Sequence, residues 1–466
     1  MSTASRLTES TRRRVVITGI GVICPIGKST QEFWQNCLQG HSTVSPIPAH
    51  WYQYADYKSS IWAPLPEIDY AARGVTRVER LQSDPVILLA ICAAQEAISN
   101  AGLISSLKDK RANTHSIKGL DPSRTGVFMG TGIGGVHSCL ANHAHQVLAR
   151  GKKQLAHISA DAKFSDEHAS SINKVLDAWI HPLRLNPFVV SMLMPNAVSA
   201  ILGIKFSITG PNTTYTQACA AGTASIGHAF RAIRSGQVDV ALAGGCEYLE
   251  DYYGGIFRAF DAANTLVQDC QDATKANRPF DEKRSGFLYS QGGVAVLVLE
   301  ELQDAVNRGA PTIAEITGYD ETFDAHSMMS IAADGVQIER MIRLALNDAK
   351  IKPVHVQYVN AHGTGTEIND AIECEVVERV FGGDVLINST KSLLGHTFGA
   401  SGALEAAVTA LSLERQTTHI CKNLEQPIAD LNFVRSAASH DIDAAISQSF
   451  AFGGHNAGLV LRRIRT

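Results

Sequence analysis

Thr216-Gln217-Ala218-Cys219-Ala220-Ala221-Gly222-Thr223-Ala224-Ser225 puts a thiol just ahead of a stretch made almost wholly of small residues. Gly395-His396-Thr397-Phe398-Gly399-Ala400-Ser401-Gly402-Ala403-Leu404 restates the plan with an imidazole in place of the thiol. Both read as turns opening helices, the first running to about Ser235 and the second to about Leu413, so that Cys219 and His396 stand at matching helix starts. The first free N–H groups of a helix and its dipole favour a thiolate, which makes Cys219 a candidate nucleophile. Small neighbours also let an acyl chain come close. The competing reading is one more buried cysteine among nine.

Outward from these stretches the theme recurs. Thr125-Gly126-Val127-Phe128-Met129 reads as a buried strand ending in Gly130-Thr131-Gly132, and Val356-Gln357-Tyr358-Val359-Asn360 leads to His362-Gly363-Thr364-Gly365-Thr366. Val238 to Gly245 follows the first helix, and each half closes on glycine-linked strands: Gly292 to Leu299 in the first, Ala445 to Phe450 and Ala457 to Leu461 in the second. Continuous apolar runs of this length suit strands covered on both faces by helices. The repetition predicts an α/β protein of two similar halves, 1–309 and 310–466, parting near Arg308-Gly309-Ala310-Pro311. The sheets are expected to be mixed, because each closing pair reads as a hairpin. Gly130 and Gly363 lie further apart than Cys219 and His396, so the first half carries an insertion near 137–195. Within it Ile172, Val175, Leu176, Trp179 and Ile180 recur at helical spacing, an apolar stripe that either docks on its own domain or forms a dimer or partner surface.

Bulk properties narrow the class. A 466-residue chain that is 45% hydrophobic and 18% charged has the composition of a soluble globular protein with a large core. A net charge of -4 argues against nucleic acid or an anionic membrane as the main partner. The cysteines show no CxxC or ligand spacing, which points to a reducing, cytoplasmic setting and no metal module. Arg12-Arg13-Arg14 precedes a strand-like, glycine-broken segment rather than a signal peptide, and no run approaches the roughly 20 apolar residues of a membrane helix.

Acyl transfer followed by carbon–carbon bond formation needs a thiolate to hold the acyl group, donors to stabilise an enolate, and an oxyanion hole. His362 follows a buried strand among glycines and threonines that let a substrate approach. His396 stands where the positive end of a helix dipole keeps its ring neutral. Neutral rings donating through Nε2 could hold the charge left when a malonyl carboxylate departs as carbon dioxide. Lys391 and Glu405 are placed to form an ion pair that fixes the His396 ring.

With Ala218-Cys219-Ala220-Ala221-Gly222, Asn360-Ala361-His362-Gly363-Thr364-Gly365-Thr366 and Lys391-Ser392-Leu393-Leu394-Gly395-His396 in this order, the chain resembles the β-ketoacyl synthases of the thiolase superfamily, most closely the elongating type II ketosynthases. The resemblance runs from Val15-Val16-Ile17-Thr18-Gly19 to Phe452-Gly453-Gly454-His455-Asn456. It implies a thiolase-like fold: two halves, each with a mixed five-stranded sheet, packed as an α-β-α-β-α sandwich. It implies an acyltransferase in which Cys219 is acylated and His362 and His396 drive decarboxylation. Lys391 and Glu405 support them, and the N–H groups of Cys219 and Phe452 form the oxyanion hole, with Phe452 also the gate. Thr364 and Thr366 would contact the 4'-phosphopantetheine arm carried by the acyl carrier protein, no cofactor or metal being bound by the chain itself. Arg77, Arg80, Lys152, Lys153 and Arg258 would dock that acidic carrier. The product is a 3-oxoacyl carrier protein, in fatty acid or polyketide and polyene-type synthesis, made by a homodimer or by a heterodimer with a related subunit.

Three departures stand out. Gln291 takes the place of an acidic residue usual after Arg278-Pro279-Phe280-Asp281, His455 replaces a threonine, and the insertion is long; together they point to a specialised substrate. Two alternatives remain: a non-catalytic chain-length-factor-like partner, which would lack the cysteine, and a thiolase, which would carry a second one near its C-terminal glycine loop. Gly130-Thr131-Gly132-Ile133-Gly134-Gly135 matches GxGxxG, a weak dinucleotide signal with no acidic residue following at the required distance.

Overall fold

The computed structural model describes residues 13–144, 146, 148, 166–168, 170–171, 174, 185–268 and 272–465. The stripe from Ile172 to Ile180 and the lysines Lys152 and Lys153 lie outside the described residues. Ten strands form one sheet: β1 Val15–Ile23, β2 Thr125–Gly130, β3 Asn212–Tyr215, β4 Val240–Tyr248, β5 Gly292–Glu301, β6 Ala314–Phe323, β7 Tyr358–Asn360, β8 Leu386–Asn388, β9 Ala444–Ala451 and β10 His455–Arg462. Their spatial order is β8-β7-β9-β10-β6-β1-β5-β4-β2-β3.

Cut between β6 and β1, this order is two five-stranded sheets of one topology, β1-β5-β4-β2-β3 and β6-β10-β9-β7-β8. The cut is natural, because β1 and β6 share only the pairs Val15↔Ile316, Val16↔Glu315 and Ile17↔Ala314. Each half-sheet is mixed: β2 runs parallel to β3 and β4, β7 parallel to β8 and β9, and the other neighbours are antiparallel. The hairpin expectation holds for β9 and β10, joined by Phe452 to Gly454. It fails in the first half, where residues 249–291 intervene between the antiparallel β4 and β5. That excursion packs Phe257, Phe260, Phe287 and Tyr289 beside the site, so its apolar content goes to a separate cluster rather than to a turn.

The helices that matter are α1 Pro85–Asn100, α2 Ala221–Arg234, α3 Val336–Asp348, α4 Glu367–Phe381 and α5 Ser401–Arg415. Strand alternation shows the layers. On β5, Val294, Val296 and Val298 join the cluster of α1, while Ala295, Leu297 and Leu299 join that of α2 and α5. On β10, Leu459 and Leu461 face the α2–α5 layer and Val460 faces α3. The result is the helix-sheet-helix-sheet-helix stack. A Cβ on Gly222 would lie 2.7 Å from Ala403 N, and one on Gly402 2.0 Å from Thr223 Oγ1. Thus the small residues after Cys219 let two central helices touch, rather than only admitting an acyl chain.

Candidate active site

Cys219 is the middle residue of a tight 3-10 turn, Ala218–Ala220, that leads into α2. Ala218 takes a left-handed backbone, φ 45°, which costs a non-glycine residue energy and turns the thiol into the site. The turn Phe398–Ala400 leads into α5 in the same way, with Phe398 at φ 50°. Helix for helix, the expected correspondence is present. Residue for residue, the counterpart of Cys219 is Gly399, and His396 precedes it by one turn. Standing back along the chain is what lets the ring reach across: His396 Nε2 is 3.1 Å from Cys219 Sγ.

Both histidines are buried, and their rings lie 5.7 Å apart at 86°. The Phe398 backbone N–H donates to His396 Nδ1 at 3.2 Å, and the Ser401 hydroxyl lies 3.0 Å from the same nitrogen. An accepting Nδ1 fixes the proton on Nε2, aimed at the sulfur. Phe398 also stacks on the imidazole at 4.7 Å and 8°. His362 is set the same way by a different donor, since Lys391 Nζ lies 3.2 Å from its Nδ1 and 2.7 Å from its carbonyl oxygen. The Lys391–Glu405 ion pair is present and buried, and it holds His362 rather than the expected His396. The sheet explains this. Asn360 and Asn388 are partners on parallel neighbours, so residues just beyond them, His362 and Lys391, meet, whereas Gly395 at φ 72° sends His396 elsewhere.

Burial holds His362 and His396 well below the usual imidazole range, and the Lys391 charge adds to the depression. Both rings are therefore neutral donors. Burial pushes Cys219 up to about 11, opposed by Lys391 and by the Phe452 backbone N–H, which hydrogen-bonds the sulfur. The helix-start argument predicted a lowered value; in this apolar pocket desolvation is the larger effect.

Cys219, His362, His396 and Phe452 line a cavity of about 490 Å³ together with Thr364, Thr366, Asn264 and Met329. Thr364 and Thr366 hydroxyls lie 2.9 Å apart on its wall. Among the docking candidates Arg77 and Arg80, on helix Arg77–Gln82, and Arg258, on helix Gly255–Ala262, are exposed. Gln291 donates to Glu250 and to the Tyr248 hydroxyl at 3.1 Å, and accepts the Leu65 N–H at 2.7 Å. An acidic side chain there would face the Glu250 carboxylate, so the amide has a local reason. His455 packs on Phe323 at 5.1 Å, beside the Phe452 to Gly454 turn.

Two buried carboxylates escaped the sequence reading. Glu373, on α4, accepts the His362 and Gly363 N–H groups, each at 2.7 Å. Glu247, closing β4, accepts those of Gly132 and Ile133, so amides that a nucleotide phosphate would need in the GxGxxG segment are spent on it. Burial raises each to about 7. The available signal was a lone charge ending an apolar run, Val240 to Cys246.

A thiol with two neutral imidazole donors, joined across two copies of one α/β half, defines a carbon–carbon condensing site of the thiolase-like class. The chain belongs to the β-ketoacyl synthase family: residues 12–305 match its N-terminal domain and residues 313–425 its C-terminal domain. It is 32% identical to 3-oxoacyl-[acyl-carrier-protein] synthase 2 of Synechocystis sp., over 97% of this chain and 98% of that protein. It is 33% identical to the protein of the same name in Staphylococcus aureus, over 97% and 99%. Among solved structures, the ishigamide ketosynthase/chain length factor superposes with a TM-score of 0.80 at 28% identity, covering 98% of this chain and all of that one. A type II polyketide ketosynthase in complex with its acyl-carrier protein and bound to the hexaketide gives 0.79 at 26%, with the same coverage. Among the described residues no helix is long and apolar enough to cross a membrane.

Proposed function

We propose that this protein carries out decarboxylative Claisen condensation of a Cys219-bound acyl group with malonyl-acyl carrier protein, giving a 3-oxoacyl carrier protein in fatty acid or polyketide-type synthesis. The observation that carries the reading is the 3.1 Å approach of His396 Nε2 to Cys219 Sγ on the wall of a cavity that His362 shares. In the first half-reaction the sulfur attacks the carrier thioester, the carrier thiol leaves with the cysteine proton, and the acyl group stays on Cys219. The N–H groups of Cys219 and Phe452 hold the tetrahedral oxyanion. In the second, the malonyl carboxylate departs as carbon dioxide and its electron pair forms a thioester enolate, held by the Nε2–H groups of His362 and His396. The enolate carbon attacks the acyl-cysteine, and the expelled thiolate takes up a proton.

Phe452 is the gate of this scheme, Thr364 and Thr366 contact the phosphopantetheine arm, and Arg77, Arg80 and Arg258 receive the acidic carrier protein. Halves 1–309 and 310–466 act as one unit, since the thiol comes from one and both histidines from the other. The unit works in the cytoplasm as a homodimer or beside a related subunit; the polyketide neighbours, one with its carrier protein and one with a chain length factor, support both partners. The retained Cys219 weighs against a non-catalytic subunit. Incubation with acyl carrier protein thioesters of graded length tests the reading: an acyl adduct on Cys219 by intact mass supports it, and none at any length overturns it.

A further inference from the structure

Glu247 is fully buried and its two oxygens collect four donors from two stretches of chain far apart in sequence, residues 131–133 and Gly399. Oε2 accepts Gly132 N–H at 2.6 Å and Gly399 N–H at 3.1 Å; Oε1 accepts Ile133 N–H at 3.3 Å and the Thr131 hydroxyl at 3.2 Å. Gly132 and Ile133 belong to the first half and Gly399 to the second, so this carboxylate joins the halves beside the reacting atoms. The fit is tight on both sides. A Cβ on Gly132 would stand 2.5 Å from Oε2, and a Cβ on Gly399 2.6 Å from the same atom.

What Glu247 grips is the turn that sets His396. Gly399 follows Phe398, whose left-handed backbone places its N–H on His396 Nδ1 and its ring flat on the imidazole. Left-handed backbone at a phenylalanine is strained and persists only where neighbours over-determine it. We propose that Glu247 is a positioning residue for His396, holding the turn 398–400 so that the ring stays an Nε2 donor toward substrate. This rests on the reading of His396 as a decarboxylation donor.

A merely structural role and this one predict different outcomes, because the Glu247 charge also disfavours the Cys219 thiolate. In Glu247→Gln one of the two oxygens becomes a donor facing donors, and the charge is gone. Release of carbon dioxide from malonyl carrier protein is expected to fall at least about tenfold, in kcat rather than KM, while alkylation of Cys219 by iodoacetamide stays equal or quickens. Glu247→Asp, with the charge kept but drawn back, should fall between. A folded Glu247→Gln protein whose decarboxylation falls by less than about tenfold overturns the proposal, as does proportionate loss of both reactions. If neither variant folds, hydrogen exchange on the wild-type protein decides: slow exchange at both the Gly132 and Gly399 amides supports the clamp, and fast exchange at Gly399 overturns it. No carbon dioxide from the wild-type protein would instead overturn the functional reading and this inference with it.

Discussion

The turns that open α2 and α5 have one backbone and two tasks. Each begins with a left-handed residue, Ala218 or Phe398, and each helix meets the other at a glycine, Gly222 or Gly402. The first keeps at its second position a thiol, the nucleophile of the proposed reaction. The second has Gly399 there, leaves the space to Glu247, and supplies an imidazole from one turn earlier. Duplication thus provides the scaffold, and chemistry comes from breaking its symmetry in a few side chains.

The sharpest way to break this comparison is to remove the nucleophile and keep the donors. Cys219→Gln should abolish acyl-adduct formation and condensation while malonyl decarboxylation persists, read by intact mass and carbon dioxide release; loss of both would contradict the division of labour. Next in size, His396→Ala and His362→Ala should each slow decarboxylation by about 10²–10³-fold, the usual cost of one donor to a developing oxyanion. Equal losses would mean that the two halves contribute equivalent donors despite their different orienting groups.

Smaller effects probe the scaffold and the charge. Gly222→Ala and Gly402→Ala each force a methyl group into the partner helix and should destabilise by about 1–3 kcal/mol, seen as a lowered Tm. A difference between them would measure how far the repeat has diverged. Burial leaves Cys219 near 11, so in the free protein its alkylation rate should climb with pH past 9, the ordinary thiol value, and level only near the shifted one. Lys391→Ala removes the cation that opposes burial, so the rise should move to still higher pH. A plateau near 9 in the wild-type protein would show that desolvation does not dominate there.

Residue type and local context made much of this site legible. Cys219, His362 and His396 stand out because a nucleophile or ring among glycines and alanines has little reason to be there for packing. The two-half plan was legible too, since buried strands keep continuous apolar runs. Partnerships were not. Lys391 is five residues from His396, yet the parallel register of β7 and β8 gives it to His362. Glu247 and Glu373 look like stray acids in sequence, because their partners are backbone N–H groups, which every residue has. The first closing pair read as a hairpin because a glycine link beside an apolar run is silent on how much chain separates that strand from its partner, here residues 249–291.

What the sequence by itself determined is the α/β duplication, the family, and the identity of the thiol and the two rings. The duplication follows from repeated local patterns, and the rest from the motifs that carry the family resemblance. The tertiary structure alone decided which cation serves which histidine, that Gly399 rather than His396 matches Cys219, that burial outweighs the helix start at the thiol, and that one carboxylate spans both halves. These depend on distances between segments far apart in the chain, and on the dielectric that packing creates around them. Neither quantity exists until the two halves close on each other.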